Sequence, residues 1–262
     1  RPFNGPIGEY DYFYAGPDTS VSRWWHKMVL AFDRVETPYV MVADNDDFVT
    51  RHVSRSVDFL DEHSDYIAHS GRLQGFWMWP DQVYGPHYRI TKRYAPFDVP
   101  ADYGSNDANL RVLAGFQNSW SYYAVYRTEA LKTIWTEVHD LDLSNLQVHE
   151  KFCAMRALSL GKIKCDPGYT SYLRQYGTST VAGHNTDFSL NLFTTNFSQD
   201  ANKVLDRMEF HGVNGAALLG LWAKWFDAYL YRHYGPWAQA RKWASKRWPK
   251  ARVRYEPILR AC

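Results

Sequence analysis

Cysteine, net charge and long apolar runs are all scarce in this chain. The three cysteines stand at 153, 165 and 262, an odd count with no pair at metal-ligand spacing. A disulfide framework is thereby excluded, and a reducing compartment is expected. The formal charge of +2 on 262 residues excludes a strongly basic nucleic-acid binder as a whole-chain reading. The longest strongly apolar stretch, Gly215–Ala223, is too short to span a bilayer before Lys224 and Asp227 interrupt it. No internal repeat and no low-complexity tract occurs. P-loop, GxGxxG, HExxH and GxSxG motifs are all missing. The chain opens Arg1-Pro2-Phe3-Asn4, with neither a basic n-region nor an apolar h-region, so no signal peptide is expected.

What the chain has instead is apolar and aromatic bulk. Hydrophobic residues make up 45% and charged residues 22%, enough to bury a sizeable core in one large domain or one domain with an appendage. Eleven Trp and 19 Tyr suit a bulky core, a carbohydrate-stacking platform or a membrane-interface belt.

Strand and helix patterns alternate along the first two thirds. Tyr10–Ala15 reads as a short strand, and Ser20 or Ser22 can cap a helix through Arg34. Tyr39–Ala43 is a continuous apolar run, expected as a strand buried on both faces. Thr50 can cap the next helix, and Tyr66–His69 is a strand. Residues 71–118 are expected as long loops with short strands. Trp120–Tyr126 reads as a strand, and Thr128 is expected to cap a helix to about Val138. Ser144 and Gln147 are expected as a capping box for a helix ending at Gly161, and Cys165–Leu173 is extended. Asn202–Phe210 and Asn214–Tyr234 read as helices. The class is α/β with a largely parallel sheet. The expected organisation is a domain over 1–182 and a helical extension over 183–262.

The extension is unevenly charged. Residues 232–260 carry nine Lys or Arg against one acid, Glu256, together with Trp237, Trp243 and Trp248. Basic residues interleaved with Trp suit peripheral contact with an anionic membrane. A solvated helix whose Trp residues pack on the domain is the alternative.

The chemistry concentrates after the apolar run, at Asp44-Asn45-Asp46-Asp47. Three carboxylates in four residues repel one another, and a cation offsets that cost. Hard oxygen donors select magnesium, manganese or calcium. An EF-hand is excluded, because the twelfth position from Asp44 is Arg55, not Glu. A solvated acidic turn that caps the following helix is the alternative. A second candidate is Glu150, which has no Lys or Arg at i±3 or i±4. Its own face continues with the small residues Cys153, Ala154 and Ala157, expected to leave room for a substrate.

The apolar strand ending in Asp-x-Asp-Asp resembles the DXD motif of GT-A fold glycosyltransferases of the inverting family-2 type. The resemblance extends to bacterial family-2-like domains through four stretches. These are KMVLAFDRVETPYVMVADNDDFV (27–49), SVDFLDEHSDYIAHSG (56–71), SYYAVYRTEAL (121–131) and HEKFCAMRALSLGKIKC with YLRQYG (149–177). It implies a GT-A-like, Rossmann-like sheet flanked by helices. It implies transfer of a sugar, with inversion, from a nucleotide-sugar donor to a hydroxyl on a glycan or lipid-linked acceptor, in cell-surface polysaccharide synthesis. Asp46 is then the primary ligand of Mn2+ or Mg2+, Asp44 faces the donor ribose or shares the metal, and Asp47 is a secondary ligand or orienting group. Glu150 is the general base. Arg174 binds donor phosphate. Trp77, Trp79, Tyr84, Trp120 and His149 are acceptor contacts, with His149 also a rival base. Asp107 and Arg111 match the pattern without an assigned role. Only 43 residues precede Asp44, so the leading nucleotide-binding unit of such domains is expected to be missing from this sequence. The expected location is cytoplasmic, at or near the inner membrane face.

Two other classes stay open. A non-catalytic glycan-binding module would keep the aromatics without needing Asp46 or Glu150. A metal-dependent phosphoryl-transfer or hydrolytic enzyme would use the same acids without a sugar acceptor.

Overall fold

The structure, a computed structural model, describes residues 14–16, 21–44, 47–79, 87–90, 102–116, 120–176, 196–234 and 236. The expected strand at Tyr10–Ala15 and the Trp-rich basic segment beyond residue 236 lie largely outside them. The chain divides into two compact units, Arg1–Gly215 and Ala216–Cys262.

The first unit is α/β. Its strands are β1 (Tyr39–Met41), β2 (Phe48–Val49), β3 (Tyr66–Trp79), β4 (His87–Ile90), β5 (Asp102–Tyr103), β6 (Val125–Arg127) and β7 (Lys162–Tyr176). Its helices are α1 (Val21–Phe32), α2 (Ser54–Glu62), α3 (Ala108–Gly115), α4 (Thr128–Leu141), α5 (Leu146–Leu160) and α6 (Phe197–Phe210). The main sheet path runs β1-β6-β3-β7-β2, with β4 on β3 and β5 on β7.

The α/β class is as expected, but the sheet is mixed rather than mostly parallel. β3 and β7 run parallel over the longest ladder, from Tyr66↔Lys162 to Trp77↔Tyr176. The other described ladders are antiparallel. The run at 39–43 is corrected too: β1 stops at Met41 and is half-buried, because it is the first strand of the path and, among the described strands, pairs only with β6.

β3 and β7 are both far longer than their apolar cores suggest. The stretch 71–79, expected as loop, continues β3, and 108–115 is helix α3. In the 120–126 segment a 3-10 turn over Trp120–Tyr123 precedes the short β6.

Helix ends show where local signals were misassigned. Asn145 rather than Ser144 caps α5, its Oδ1 accepting the Val148 N–H at 3.2 Å. Thr128 lies inside α4 and donates to the Thr37 carbonyl at 2.6 Å. Thr50 caps as expected, although it opens a 3-10 turn over Arg51–Val53. Gly161 does follow α5, but for want of space: an added Cβ would meet Ile67 at 2.4 Å.

Asp107 and Arg111 are architectural. The Asp107 carboxylate caps α3 by accepting from Asn109 and Leu110. Buried Arg111 donates to the Leu158, Ser159 and Ser105 carbonyls, satisfying the open end of α5.

The core is aromatic. Trp25, Trp135, Phe152 and Tyr126 are fully buried, and Trp25 donates its indole N–H to the Leu143 carbonyl at 2.6 Å. On α4, Leu131, Ile134, Trp135 and Val138 form the buried stripe at helical spacing. Cys153 and Cys165 are buried free thiols.

Helix α6 falls in the first unit, past the boundary expected at residue 182. Its Asp200 and the adjoining His211 bond to the α4–α5 region. The second unit is described through α7 (Gly215–Tyr234), on which Leu218 and Trp222 are buried. Among the described residues no helix is long and apolar enough to cross a membrane.

Candidate active site

β1 delivers Asp44 to the end of the sheet. The chain then turns: the Asp47 N–H reaches the Asp44 carbonyl at 3.2 Å. Asn45 and Asp46 lie outside the described residues. Asp46, the expected primary metal ligand, is therefore not placed.

Two tyrosines hold the turn. Tyr123, from the 3-10 turn ahead of β6, donates its hydroxyl to Asp44 Oδ2 at 2.8 Å. Tyr172, on β7, donates to Asp47 Oδ2 at 2.7 Å and accepts the Asp44 N–H at 3.0 Å. The Gln175 N–H adds a bond to Asp47 Oδ1 at 2.8 Å. Burial, opposed at Tyr123 by Arg174, pushes both phenols far above their ordinary range, so they remain protonated donors. Sequence inspection missed both, since each sits inside a run that reads as ordinary strand.

The Asp47 carboxyl is raised from its ordinary value, first by burial and further by Asp44. The Tyr172 and Gln175 bonds and the Arg174 charge work against the rise. Arg174 extends from β7 over the Tyr123 ring, 5.4 Å from its centroid.

Glu150 lies in the first turns of α5 and is half-buried. Burial raises its carboxyl, Arg174 and Lys151 pull it down, and Asp44 pushes it up. Asp44, Asp47, Glu150 and Arg174 thus share one electrostatic neighbourhood, although they come from the β1–β2 turn, α5 and β7. Cys153, Ala154 and Ala157, expected to leave room beside Glu150, are buried core residues.

His149 is corrected from acceptor contact or rival base to core residue. It is 1% exposed. Its ring lies 3.9 Å from Trp25 and 5.2 Å from Trp135, and its Nε2 is 3.2 Å from Cys153 Sγ. Burial drives its pKa down to about 3, so it is neutral and shielded. Trp77 and Trp79 lie on β3 opposite β4, and Trp120 opens the 3-10 turn. Their side chains lie outside the described residues, as does Tyr84.

Asp44 and Asp47 offer carboxylate oxygens, the donor type that suits Mg2+ or Mn2+. Among the described residues no group of three His, Cys, Asp or Glu side chains is gathered to hold a metal. A third carboxylate from this turn would be Asp46.

No family model matches the chain, and no curated protein matches it. Among solved structures, the crystal structure of S. aureus TarS 1-349 aligns with a TM-score of 0.40 at 15% identity, over 62% of this chain and 42% of that one. A second crystal structure of S. aureus TarS aligns with a TM-score of 0.37 at 18% identity, over 58% of this chain and 24% of that one. The chain thus spans less than half the length of either.

Proposed function

We propose that this chain is the catalytic part of an inverting glycosyltransferase of GT-A type, moving a sugar from a nucleotide-sugar to a hydroxyl acceptor. The observation that carries this reading is the Asp44–Asp47 turn held by Tyr123 and Tyr172 with Arg174 over the Tyr123 ring, and Glu150 within electrostatic reach of Asp44 and Arg174.

Glu150 is the base. Its raised pKa brings it nearer the pH at which it works, and its partial exposure lets a hydroxyl reach it. It takes the acceptor proton while the acceptor oxygen bonds to the anomeric carbon. The bond from that carbon to the diphosphate breaks, and the nucleoside diphosphate leaves with the electron pair. Arg174 supplies positive charge to the departing phosphate oxygens. Asp44, Asp46 and Asp47 are the residues that would hold Mn2+ or Mg2+. Such a cation, when bound, neutralises diphosphate charge.

The acceptor is proposed to be a cell-surface glycan or its lipid-linked precursor. Trp77, Trp79 and Trp120 are proposed as its stacking contacts. The basic Trp-rich segment 232–260 would hold the enzyme at the inner, anionic membrane face.

The test is a transfer assay over a panel of nucleotide-sugars, with Mn2+ and with chelator, on the full chain and on Asp46→Asn. Sugar transfer that needs the cation and Asp46 supports the reading. Phosphate release without acceptor dependence would replace it with a hydrolase. Binding of glycans with no turnover, unaffected by Asp46→Asn, would replace it with a binding module.

A further inference from the structure

We infer that Tyr172 and Tyr123 form one positioning unit, a stacked pair of phenols that sets the spacing of the acidic turn. The inference rests on the proposed reading for the purpose of the turn, while the geometry of the pair stands apart from it.

The rings stack at 4.6 Å between centroids with 28° between planes. Both are buried, Tyr172 to 1% exposure and Tyr123 to 8%. Neither ring can swing out to follow a mobile carboxylate. Each hydroxyl is spent on a different acid: Tyr123 on Asp44, Tyr172 on Asp47. Tyr172 does more than donate. By accepting the Asp44 N–H it fixes the backbone at one end of the turn and the side chain at the other.

The physical need is plain. Asp44 and Asp47 raise one another's energy when both are charged. A flexible turn would let them part. Two neutral donors on a rigid double ring hold them in place without adding charge that would compete with a cation. Tyr172 is itself locked in register, facing Val49 of β2 and Leu73 of β3 across the sheet. The guanidinium of Arg174 over the Tyr123 face ties the phosphate-directed cation to the same stack. The pair therefore acts through the aspartates and not on substrate.

The test uses the full chain carrying Tyr172→Phe, with Tyr123→Phe as second variant. Phenylalanine keeps the stack and removes the hydroxyl. Three quantities are read: the melting temperature, amide hydrogen exchange over residues 42–49 and 173–176, and affinity for Mn2+ alone. The melting temperature is expected to fall by no more than about 4 °C in Tyr123→Phe, which loses one hydrogen bond, and by up to about twice that in Tyr172→Phe, which loses two. Exchange in these segments is expected to rise at least about tenfold while the rest of the sheet keeps its protection. Mn2+ affinity is expected to fall roughly 10- to 100-fold, the usual cost of losing a group that orients a ligand. Tyr123→Phe should loosen the Asp44 end alone.

Unchanged exchange over 42–49 in Tyr172→Phe overturns the inference, whatever Mn2+ does. Where wild type binds Mn2+, an equal affinity in both variants overturns it as well. If wild type ignores Mn2+ but exchange still rises in the variant, the pair stands as the brace of the turn and the metal part of the proposed function falls. Should Tyr172→Phe fail to fold, the same exchange and Mn2+ readings on Tyr123→Phe decide.

Discussion

Asp200 on α6 accepts the backbone N–H of Asn145, the residue that caps α5, at 2.7 Å. The same carboxylate oxygen accepts the Ser144 N–H at 2.8 Å and lies 3.1 Å from the Ser144 hydroxyl. Through this contact α6 anchors the start of the helix that carries Glu150.

Replacing Asp200 with Ala should therefore cost more than a surface change. Asp200 is 1% exposed, and its removal strands the buried Asn145 N–H at the head of α5. The expected loss is roughly 2–4 kcal/mol, from charge-assisted bonds and a lost helix-end partner. Urea unfolding measures it, and a loss under about 0.5 kcal/mol, the range of neutral surface changes, would contradict the role.

Glu137 makes a pH-dependent prediction. Its Oε1 accepts from Arg156 at 2.9 and 2.7 Å, and its Oε2 faces His211 at 3.0 Å. Burial alone would raise its carboxyl, but the Arg156 and His211 bonds together prevail and lower it. A depressed folded pKa gives stability that is present above the unfolded value, about 4.5, and is lost as pH falls through the folded one. Glu137→Gln should cost about 3–5 kcal/mol at neutral pH, as for breaking a buried pair. The gap between variant and wild type should close in acid. A gap that stays constant from pH 7 to pH 3 would show that charge is not involved.

Glu150 has the opposite sign. Its folded pKa is raised, so its contribution is fully present below the unfolded value of about 4.5 and is lost as pH rises through the folded one. Glu150→Gln should match wild type in acid and melt higher at pH 8. Transfer should fall by about 10²–10⁴-fold with donor binding retained. Near-normal turnover would give the base role to another group.

The extension makes a fourth prediction. Residues 232–260 should bind anionic vesicles reversibly, each Lys or Arg near the surface contributing on the order of 1 kcal/mol at low salt. Binding should weaken as the screening length shrinks to about 8 Å at physiological ionic strength. Co-sedimentation of full chain and truncated chain compares the two. Indifference of the full chain to vesicles at low salt would remove membrane docking.

The acids of the candidate site stand out in the sequence, and the reason is local. Clustered carboxylates after an apolar run are costly wherever they occur, so Asp44 and Asp47 announce themselves. Glu150 stands out through the absence of intrahelical salt-bridge partners. The tyrosines could not be found this way. Tyr172 bonds to residues more than a hundred positions upstream, and nothing in its own neighbourhood records that. His149 misled for the same reason: a histidine beside a candidate base looks reactive until the Trp25 and Trp135 rings close over it. Strand direction was equally hidden, because apolar content reports burial but not the sense of the neighbouring strand. In β3 and β7 it also under-reported length, since their outer halves carry Gly, Gln, Arg and Trp.

The parallel β3–β7 ladder joins segments separated by about a hundred residues, the kind of contact that slows folding. Synthesis runs from the N-terminus, so β1, the acidic turn and β3 all leave the ribosome well before β7 exists. Until Tyr172 and Gln175 arrive, Asp47 lacks both donors that the described residues give its carboxylate. The earliest-made part of the candidate site is thus completed by the last described strand of its own sheet. A chain cut short before residue 172 would carry every acid of the turn and still have no ordered site. The proposed activity should therefore appear all at once, after β7 docks, with no partly competent nascent form before it.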